Sequence, residues 1–329
     1  MVIVPAEVKL LPPIPSISEV DLLKHIELCG RICYKSEDKI TENSHEKFVE
    51  NIIKRGHEAV LEHASIIAQT DSIIAFRRVR KLDQDMEDRV PEYTSFLRYT
   101  EAGDPTISGN VRAWRSFMNT TRLYWGNIPE GLRTIVATYP RLFPEVGMRD
   151  FEHELWAKGV YFRITHPDDL KSPARRLVHV DRTAIFTCDR GVTHEIVRHR
   201  RASYCQESTR YCNYSREKFG EEITVIDPAA LNLSDDAYKH WVTACLCAET
   251  AYFKMLNAGC TPQAARSVLP NSLKTELAMT SALSEWRHFL NLRCDPAAHP
   301  QMREVAGMLP AKFHVDEPDL FNDIEVRAE

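Results

Sequence analysis

The spacing of apolar and polar positions predicts a chain in which helices alternate with short buried strands. Apolar residues recur at helical intervals after Ser18, which predicts a helix over 21–33 and a second over 44–55, where Gly56 ends the pattern. The next stretch, 57–76, contains short runs rich in β-branched residues, which favour buried strands. The first part of the chain therefore predicts two helices followed by sheet.

A similar alternation returns in the second half. An apolar run over 177–188 predicts a strand, a turn follows, and THEIVRHR over 193–200 predicts a helix. A long amphipathic pattern predicts a helix from Ser234 to Ala258, with Gly259 as its stop. Shorter helices are then predicted in three places, which are 261–270, 286–293 and the stretch that begins at Pro300.

Residues 77–174 interrupt this alternation. Charged residues crowd together there, turn sequences recur, and four aromatic residues lie at near-helical spacings, namely Trp114, Phe117, Tyr124 and Trp125. We interpret the stretch as a helical insertion whose aromatics form its own core. The remaining pattern is typical of the α+β class.

The composition limits the classes of protein to which this chain can belong. The 329 residues are 43% hydrophobic and 27% charged, as expected of a globular chain with a large core. A net charge of -5 argues against general nucleic-acid binding, because that affinity comes from neutralising phosphates. The N-terminal segment is broken by prolines and lacks a basic start, so we expect no signal peptide or membrane span and a cytoplasmic location. Nine cysteines without a CxxC pair predict reduced, mostly buried thiols.

One segment is positively charged, although the chain as a whole carries a net negative charge. RHRRASYCQESTRY over 198–211 opens a stretch to residue 218 that holds six Arg or Lys against two Glu. Guanidinium forks among hydroxyls and an amide suit a phosphate or a planar imide. A solvated charged face is the plain alternative. Another is a nucleic-acid strand bound by cations from Arg198 to Arg216 and stacked on Tyr204, Tyr211 and Tyr214.

Two further features concern the neighbourhood of this cluster. On the predicted helix, Glu195, Arg198 and His199 are three and four residues apart and share one face. Arg293 follows Phe289 by four residues, which points a cation inward from a packed face. A buried cation requires an internal carboxylate or a bound ligand, and both remain open.

The histidines predict no metal site. His57 and His63 are six residues apart, and His194 and His199 are five apart, so neither pair can chelate one ion from a helix.

Four motifs in the same order resemble those of flavin-dependent thymidylate synthases. Arg198, His199 and Arg200, followed after seven residues by Ser208, match that family's RHR, seven, Ser signature. The other segments are RGHEAVLEH over 55–63, ARSVLP over 265–270 and the stretch 284–306, which contains HFLNLR.

The resemblance implies a fold with a central mixed or antiparallel sheet flanked by helices. It implies a single domain over 1–329 with a largely helical insertion at roughly 75–175, and a homotetramer whose active sites combine several subunits. The implied reaction is FAD-dependent reductive methylation of dUMP to dTMP. Its carbon donor would be 5,10-methylenetetrahydrofolate, its reductant NAD(P)H, and no cysteine would act as nucleophile.

The resemblance also assigns roles to residues. Arg293 would polarise the uracil imide and Ser208 would lie near the ring, so these two are the catalytic candidates. Other implied dUMP contacts are Glu195, Arg198, Gln206, Glu207, Thr209, Arg210 and, from a different subunit, Arg266. Implied flavin contacts are His57, Ala59, His199, Arg200, Arg201, Gln206, Ala282, Ser284 and His288.

Five positions depart from the family's pattern. Many relatives have Asn-Glu where Cys205 and Gln206 stand, some have Asn and Arg where Ala282 and Ser284 stand, and others have a hydroxyl at Ala59. These departures concern individual flavin contacts. A relative that has lost turnover, with the insertion serving binding or regulation, is a separate alternative to an active enzyme.

Overall fold

The computed structural model describes residues 1–151, 161–210, 212–215 and 220–325. The strands in these ranges are β1 Val2–Val4, β2 Glu7–Leu10, β3 Ser65–Gln69, β4 Arg98–Thr100, β5 Thr106–Asn110, β6 Arg163–Ile164, β7 Asp181–Asp189, β8 Ser203–Gln206, β9 Thr224–Ile226 and β10 Lys274–Ala282. The helices are α1 Glu19–Tyr34, α2 Ser44–Lys54, α3 Ile73–Arg89, α4 Val111–Trp125, α5 Arg133–Thr138, α6 Pro173–His179, α7 Arg190–Ile196, α8 Asp235–Asn257, α9 Pro262–Ala265, α10 Leu283–Arg293, α11 Pro300–Gly307, α12 Pro310–Asp316 and α13 Pro318–Phe321.

The chain divides into two compact units. The first unit comprises Met1–Leu11, Gly30–Asp38 and Arg182–Glu329, and the second comprises Pro12–Cys29 and Lys39–Asp181. The second unit thus includes α2 and β3, which precede the expected insertion. One domain with an insertion at roughly 75–175 stays a prediction.

The first unit is built on a four-stranded sheet of order β2-β7-β10-β8. β2 pairs antiparallel with β7, and β10 pairs antiparallel with β8. Trp286 and Phe289 of α10 are fully buried, and their ring centroids lie 6.4 Å and 6.1 Å from that of Phe186 on β7. Helices packed on an antiparallel sheet confirm the predicted α+β class.

The second unit contains another antiparallel sheet, of order β4-β5-β3-β6. Trp114 and Phe117 of α4 are fully buried, and the Trp114 indole donates to the carbonyl of Ile66 at 3.1 Å. These two aromatics confirm the predicted core of the 77–174 stretch. Tyr124 is 58% exposed, so the prediction was wrong for that residue. The short strands in this stretch were not predicted from its crowded charges.

The expected strands over 57–76 form only in part. β3 is a buried strand, but Ile73 begins α3. Ser72 explains the change, because its hydroxyl accepts a hydrogen bond from the amide of Ala75 at 3.2 Å and so caps a helix.

The long helix of the second half is confirmed. The Ser234 hydroxyl accepts from the amide of Ala237 at 3.3 Å, and α8 ends before Gly259, whose φ of +89° suits glycine. None of the nine cysteines forms a disulfide, and six of them are buried, as predicted. Within the described ranges, no helix has the length and apolar character needed to cross a membrane.

Candidate functional site

Helix α7 starts at a buried carboxylate. Asp189 ends β7, and its Oδ1 accepts from the amide of Val192 at 2.7 Å while its Oδ2 accepts from the Gln301 side chain at 2.7 Å. Burial raises the pKa of Asp189, and its hydrogen bonds act against that rise. Both oxygens are engaged, so the start of the helix that carries Glu195 is fixed.

We expect Asp189→Ala to lower the free energy of unfolding by about 1–2 kcal/mol, because the capping bond is lost and a buried amide loses its partner. Urea denaturation measures the loss. Asp189→Asn, which keeps a side-chain oxygen, is the matched control and should be milder. Equal losses in both variants would contradict the capping role.

Helix α7 ends earlier than the sequence predicted. It stops at Ile196, and Arg198 and His199 lie in a turn in which their amides contact the carbonyls of Glu195 and Ile196 at 3.3 Å and 3.0 Å. The prediction that Glu195, Arg198 and His199 share a helical face was therefore wrong. The Tyr204 hydroxyl lies 3.0 Å from the carbonyl oxygen of Ile196, which a longer helix would use for its own bonding.

His199 occupies a buried position beside α10. Its side chain is 5% exposed, and its Nε2 lies 3.3 Å from Oε2 of Glu285. The rings of His288 and Phe289 lie 5.5 Å and 5.8 Å from it, centroid to centroid. Burial lowers the pKa of His199, and the Glu285 carboxylate acts in the opposite direction. Arg201 is exposed but lies 3.4 Å from the other oxygen of Glu285.

Arg293 closes the last turn of α10 and faces α7. Its Nη2 donates to the carbonyl of Glu195 at 3.0 Å, and its Nη1 lies 3.5 Å from Oε2 of the same residue. Its buried Nε has no hydrogen-bond partner among the described residues. An internal carboxylate therefore meets this cation, as one of the two sequence alternatives required, yet part of its donor capacity remains unused.

Gln206, the last residue of β8, and Glu207, which follows it, point to opposite sides of the sheet. The Gln206 amide donates to the hydroxyls of Thr193 and Thr275 at 2.9 Å and 3.3 Å. Glu207 instead accepts from the Tyr214 hydroxyl at 3.3 Å, and Lys274 lies 3.9 Å away. Burial raises the pKa of Glu207, which the nearby lysines partly oppose.

Glu207 also lines a cavity of about 510 Å³ together with Lys35, Tyr214 and Lys274. The two neighbours Gln206 and Glu207 are therefore not placed alike, although the resemblance assigned both to dUMP.

The loop after β8 is held from two sides. The amide of Ser208 donates to the carbonyl of Cys33 at 3.1 Å, and the amide of Arg210 lies 3.4 Å from the Ser208 hydroxyl. Arg266 donates to the hydroxyl of Thr209 at 3.3 Å within the same chain. The structure thus brings Arg266 to the loop after β8 within one chain.

The other sequence candidates lie as follows. Arg198, Arg200 and His288 are exposed in the first unit, where Ala282 is buried at the start of α10 and Ser284 is half-buried. His57 and Ala59 are exposed in the second unit, at a 3₁₀ turn over Glu58–His63. Tyr211, Arg216 and Lys218 lie outside the described residues. No group of three or more potential metal ligands was found in the part of the chain that the structure describes.

Sequence reasoning missed Glu285 and the two threonines that hold Gln206. Glu285 precedes His288 by three residues and Phe289 by four, so helical spacing alone placed it on their face. Thr193 and Thr275 meet Gln206 only through the folding of distant segments, and no local signal marks them.

A family model described as "Thymidylate synthase complementing protein" matches residues 17–81 and 173–316. The match extends over more than half of the chain. The protein therefore belongs to this family. The unmatched residues between the two stretches fall inside the expected insertion.

Curated relatives carry a more specific name. A flavin-dependent thymidylate synthase of Pyrococcus furiosus is 35% identical over 160 residues, which is 46% of this chain and 65% of that relative. One of Corynebacterium glutamicum is 30% identical over 152 residues, covering 42% of this chain and 58% of the relative. The matches thus span less than two thirds of the length of these relatives.

A solved structure is also similar, that of the UMP/dUMP methylase PolB from Streptomyces cacaoi bound with 5-Br dUMP. It covers 100% of both chains with 14% identity and a TM-score of 0.41.

Proposed function

We propose that the protein catalyses the FAD-dependent reductive methylation of dUMP to dTMP. The carbon donor is 5,10-methylenetetrahydrofolate and the reductant is NAD(P)H. Family membership and the names of the relatives support this activity. The structural observation that carries it is Arg293, a mostly buried guanidinium directed at Glu195 with its Nε unused.

The residues around Arg293 suit the proposed ligands. The exposed guanidiniums of Arg198, Arg200 and Arg201 offer donors for phosphate groups. His199 and His288 offer flat rings beside them. This donor set fits FAD, which when bound supplies the hydride that completes the methyl group.

In this proposal the protein itself activates the uracil by electrostatics. Arg293 binds the imide and stabilises the negative charge that develops on the ring, and Glu195 holds the guanidinium in place through its carbonyl. Ser208 lies near the ring, and Arg210 and Arg266 bind the phosphate on the loop that contains Thr209. We further propose a homotetramer located in the cytoplasm, in which neighbouring subunits complete each site.

The visible absorption spectrum of the purified protein tests the proposal. We expect a yellow protein with flavin bands that bleach when NADPH and dUMP are added. A colourless protein that ignores added FAD would count against the flavin. An assay for dTMP then separates an active enzyme from a relative that binds flavin but has lost turnover.

The absence of a cysteine nucleophile can be tested at Cys33. A hydrogen bond with the Cys205 thiol lowers the pKa of Cys33, more than burial raises it. Cys33 also lies next to Ser208 along the backbone contact described above. Because a lowered pKa favours the reactive thiolate, Cys33 is the residue on which a covalent mechanism would be tested.

We expect Cys33→Ser to retain turnover close to that of the wild type, since the proposed reaction forms no bond to cysteine. The rate of dTMP formation is the measurement. Cys247→Ser, at an exposed position on α8, serves as the control. Abolished turnover in Cys33→Ser alone, with a normal flavin spectrum, would favour covalent catalysis instead.

Single-stranded nucleic acid is less well supported as a ligand. The Tyr204 hydroxyl bonds to the carbonyl oxygens of Ile196 and His199, and Tyr214 is only 6% exposed. The Tyr214 ring is therefore not presented for stacking on bases.

A further inference from the structure

Glu285 in the first turn of α10 contacts two residues of the arginine-rich stretch that begins at Arg198. Its Oε2 lies 3.3 Å from Nε2 of His199, and its Oε1 lies 3.4 Å from Nη1 of Arg201. The Glu285 side chain is 20% exposed, whereas that of Arg201 is 84% exposed. One partly buried carboxylate therefore joins a buried imidazole to a surface guanidinium.

The same helix surrounds His199 with two further side chains. His288 and Phe289 follow Glu285 by three and four residues, so all three lie on one face of α10. The Phe289 ring meets the imidazole edge-on, with an angle of 90° between the planes, and the His288 ring is tilted by 39°. The imidazole is thus packed by two rings and oriented by one carboxylate.

The carboxylate acts on the ring through its charge. Nε2 of His199 is buried and faces Oε2 of Glu285 at 3.3 Å, without a well-formed hydrogen bond among the described residues. A group that must present one defined face to a ligand needs such an orienting partner.

We propose that Glu285 is a positioning residue that holds His199 and Arg201 in the orientation in which they contact the flavin. The inference rests on the proposed function, because it requires a flavin at this site. Glu285 itself need not touch the flavin, since it acts through the two residues that it contacts.

The charges around His199 predict a measurable change in its pKa when Glu285 is replaced. Burial lowers the pKa of His199, and His288 and Arg293 lower it further, whereas Glu285 raises it. Removing the charge of Glu285 leaves only the lowering influences. The pKa of His199 should therefore fall in Glu285→Gln, a variant of nearly the same shape.

The experiment compares Glu285→Gln with Asp323→Asn in the full chain. Asp323 forms an exposed ion pair, at 2.6 Å, with Arg287, which lies on α10 like Glu285. Asp323→Asn therefore controls for the loss of a carboxylate that contacts this helix. NMR titration of the His199 imidazole is recorded without flavin, and FAD affinity is measured by fluorescence quenching. We expect Glu285→Gln to lower the pKa of His199 and to weaken FAD binding about tenfold, as for a lost hydrogen bond to a charged group. Asp323→Asn should change neither.

Each other outcome overturns the inference in a recognisable way. An unchanged His199 titration in a folded Glu285→Gln protein would show that the carboxylate does not control the imidazole. A shifted titration with unchanged FAD affinity would remove Glu285 from the flavin site while the proposed function stands. A wild-type protein that binds no FAD would overturn the proposed function, and this inference with it.

Discussion

Replacing Arg293 with alanine should reduce the rate of dTMP formation by about 10²- to 10³-fold, the usual cost of removing a donor to a developing anion. The guanidinium lies against Glu195 at the junction of α7 and α10, and its Nε has no partner among the described residues. Single-turnover measurement of dTMP isolates the chemical step from product release.

Two controls separate this catalytic effect from damage to the fold. Arg293→Lys keeps the charge but loses the planar fork, so we expect an intermediate rate. The flavin spectrum of Arg293→Ala should remain, because the proposed flavin contacts lie on other residues. Near-normal turnover in Arg293→Ala would remove this residue from the mechanism.

Acidification from pH 6.5 to 5.5 should lower the free energy of unfolding of the second unit by about 2 kcal/mol, or about 1 kcal/mol per buried histidine, because the unfolded imidazoles are already half protonated at pH 6.5. The two main contributors are His63 and His179, which are 1% and 0% exposed. Burial lowers the pKa of each from 6.5 to about 3.

The sign follows from where the proton binds. Between about pH 3 and 6.5 the unfolded chain takes up protons on these imidazoles and the folded chain does not. Stability is therefore fully present above 6.5 and is lost progressively as the pH falls. In the folded state, both ring nitrogens of His179 lie 2.8 Å from hydroxyls, those of Ser108 and Thr100.

Other groups in the same unit modify the size of the effect. His25, whose pKa burial lowers to about 4, adds to it. Asp83 opposes it, because burial raises the pKa of that carboxyl. One carboxyl opposes three imidazoles, so the direction is unchanged.

Urea denaturation at several pH values measures the slope, and amide hydrogen exchange of β3 and β5 assigns it to the second unit. His179→Gln should reduce the loss between pH 6.5 and 5.5 by about 1 kcal/mol. His240→Gln, at a site on α8 that is 81% exposed, should leave it unchanged. A wild-type slope near zero would contradict the prediction.

The elements that the sequence predicted well carry their own local signals. Helix α8 has a capping Ser234 and a terminal Gly259, and both act as expected. The inward direction of Arg293 followed from its spacing to Phe289 on α10. In each case the deciding residues lie within a few positions of one another, so a single window of sequence contains them.

The wrong or incomplete predictions concern residues whose hydrogen-bond or ion-pair partners are not their sequence neighbours on the same helix. The predicted helix over 193–200 stops at Ile196, where the Tyr204 hydroxyl occupies the carbonyl that a longer helix needs. The internal carboxylate for Arg293 could not be named from sequence, because Glu195 reaches it only when α7 and α10 pack together. Such contacts depend on tertiary packing, which periodicity does not contain.

The opposed directions of Gln206, which ends β8, and Glu207, which follows it, make this strand intolerant of a shift in register. Tyr204 pairs with Met279 and Cys205 with Ala278. A displacement of β8 by one residue along β10 would exchange the faces of all its side chains. An acid would then stand against Thr193 and Thr275, and an amide would stand beside Lys274. Insertions or deletions in this strand should therefore be far more harmful than point substitutions of comparable size.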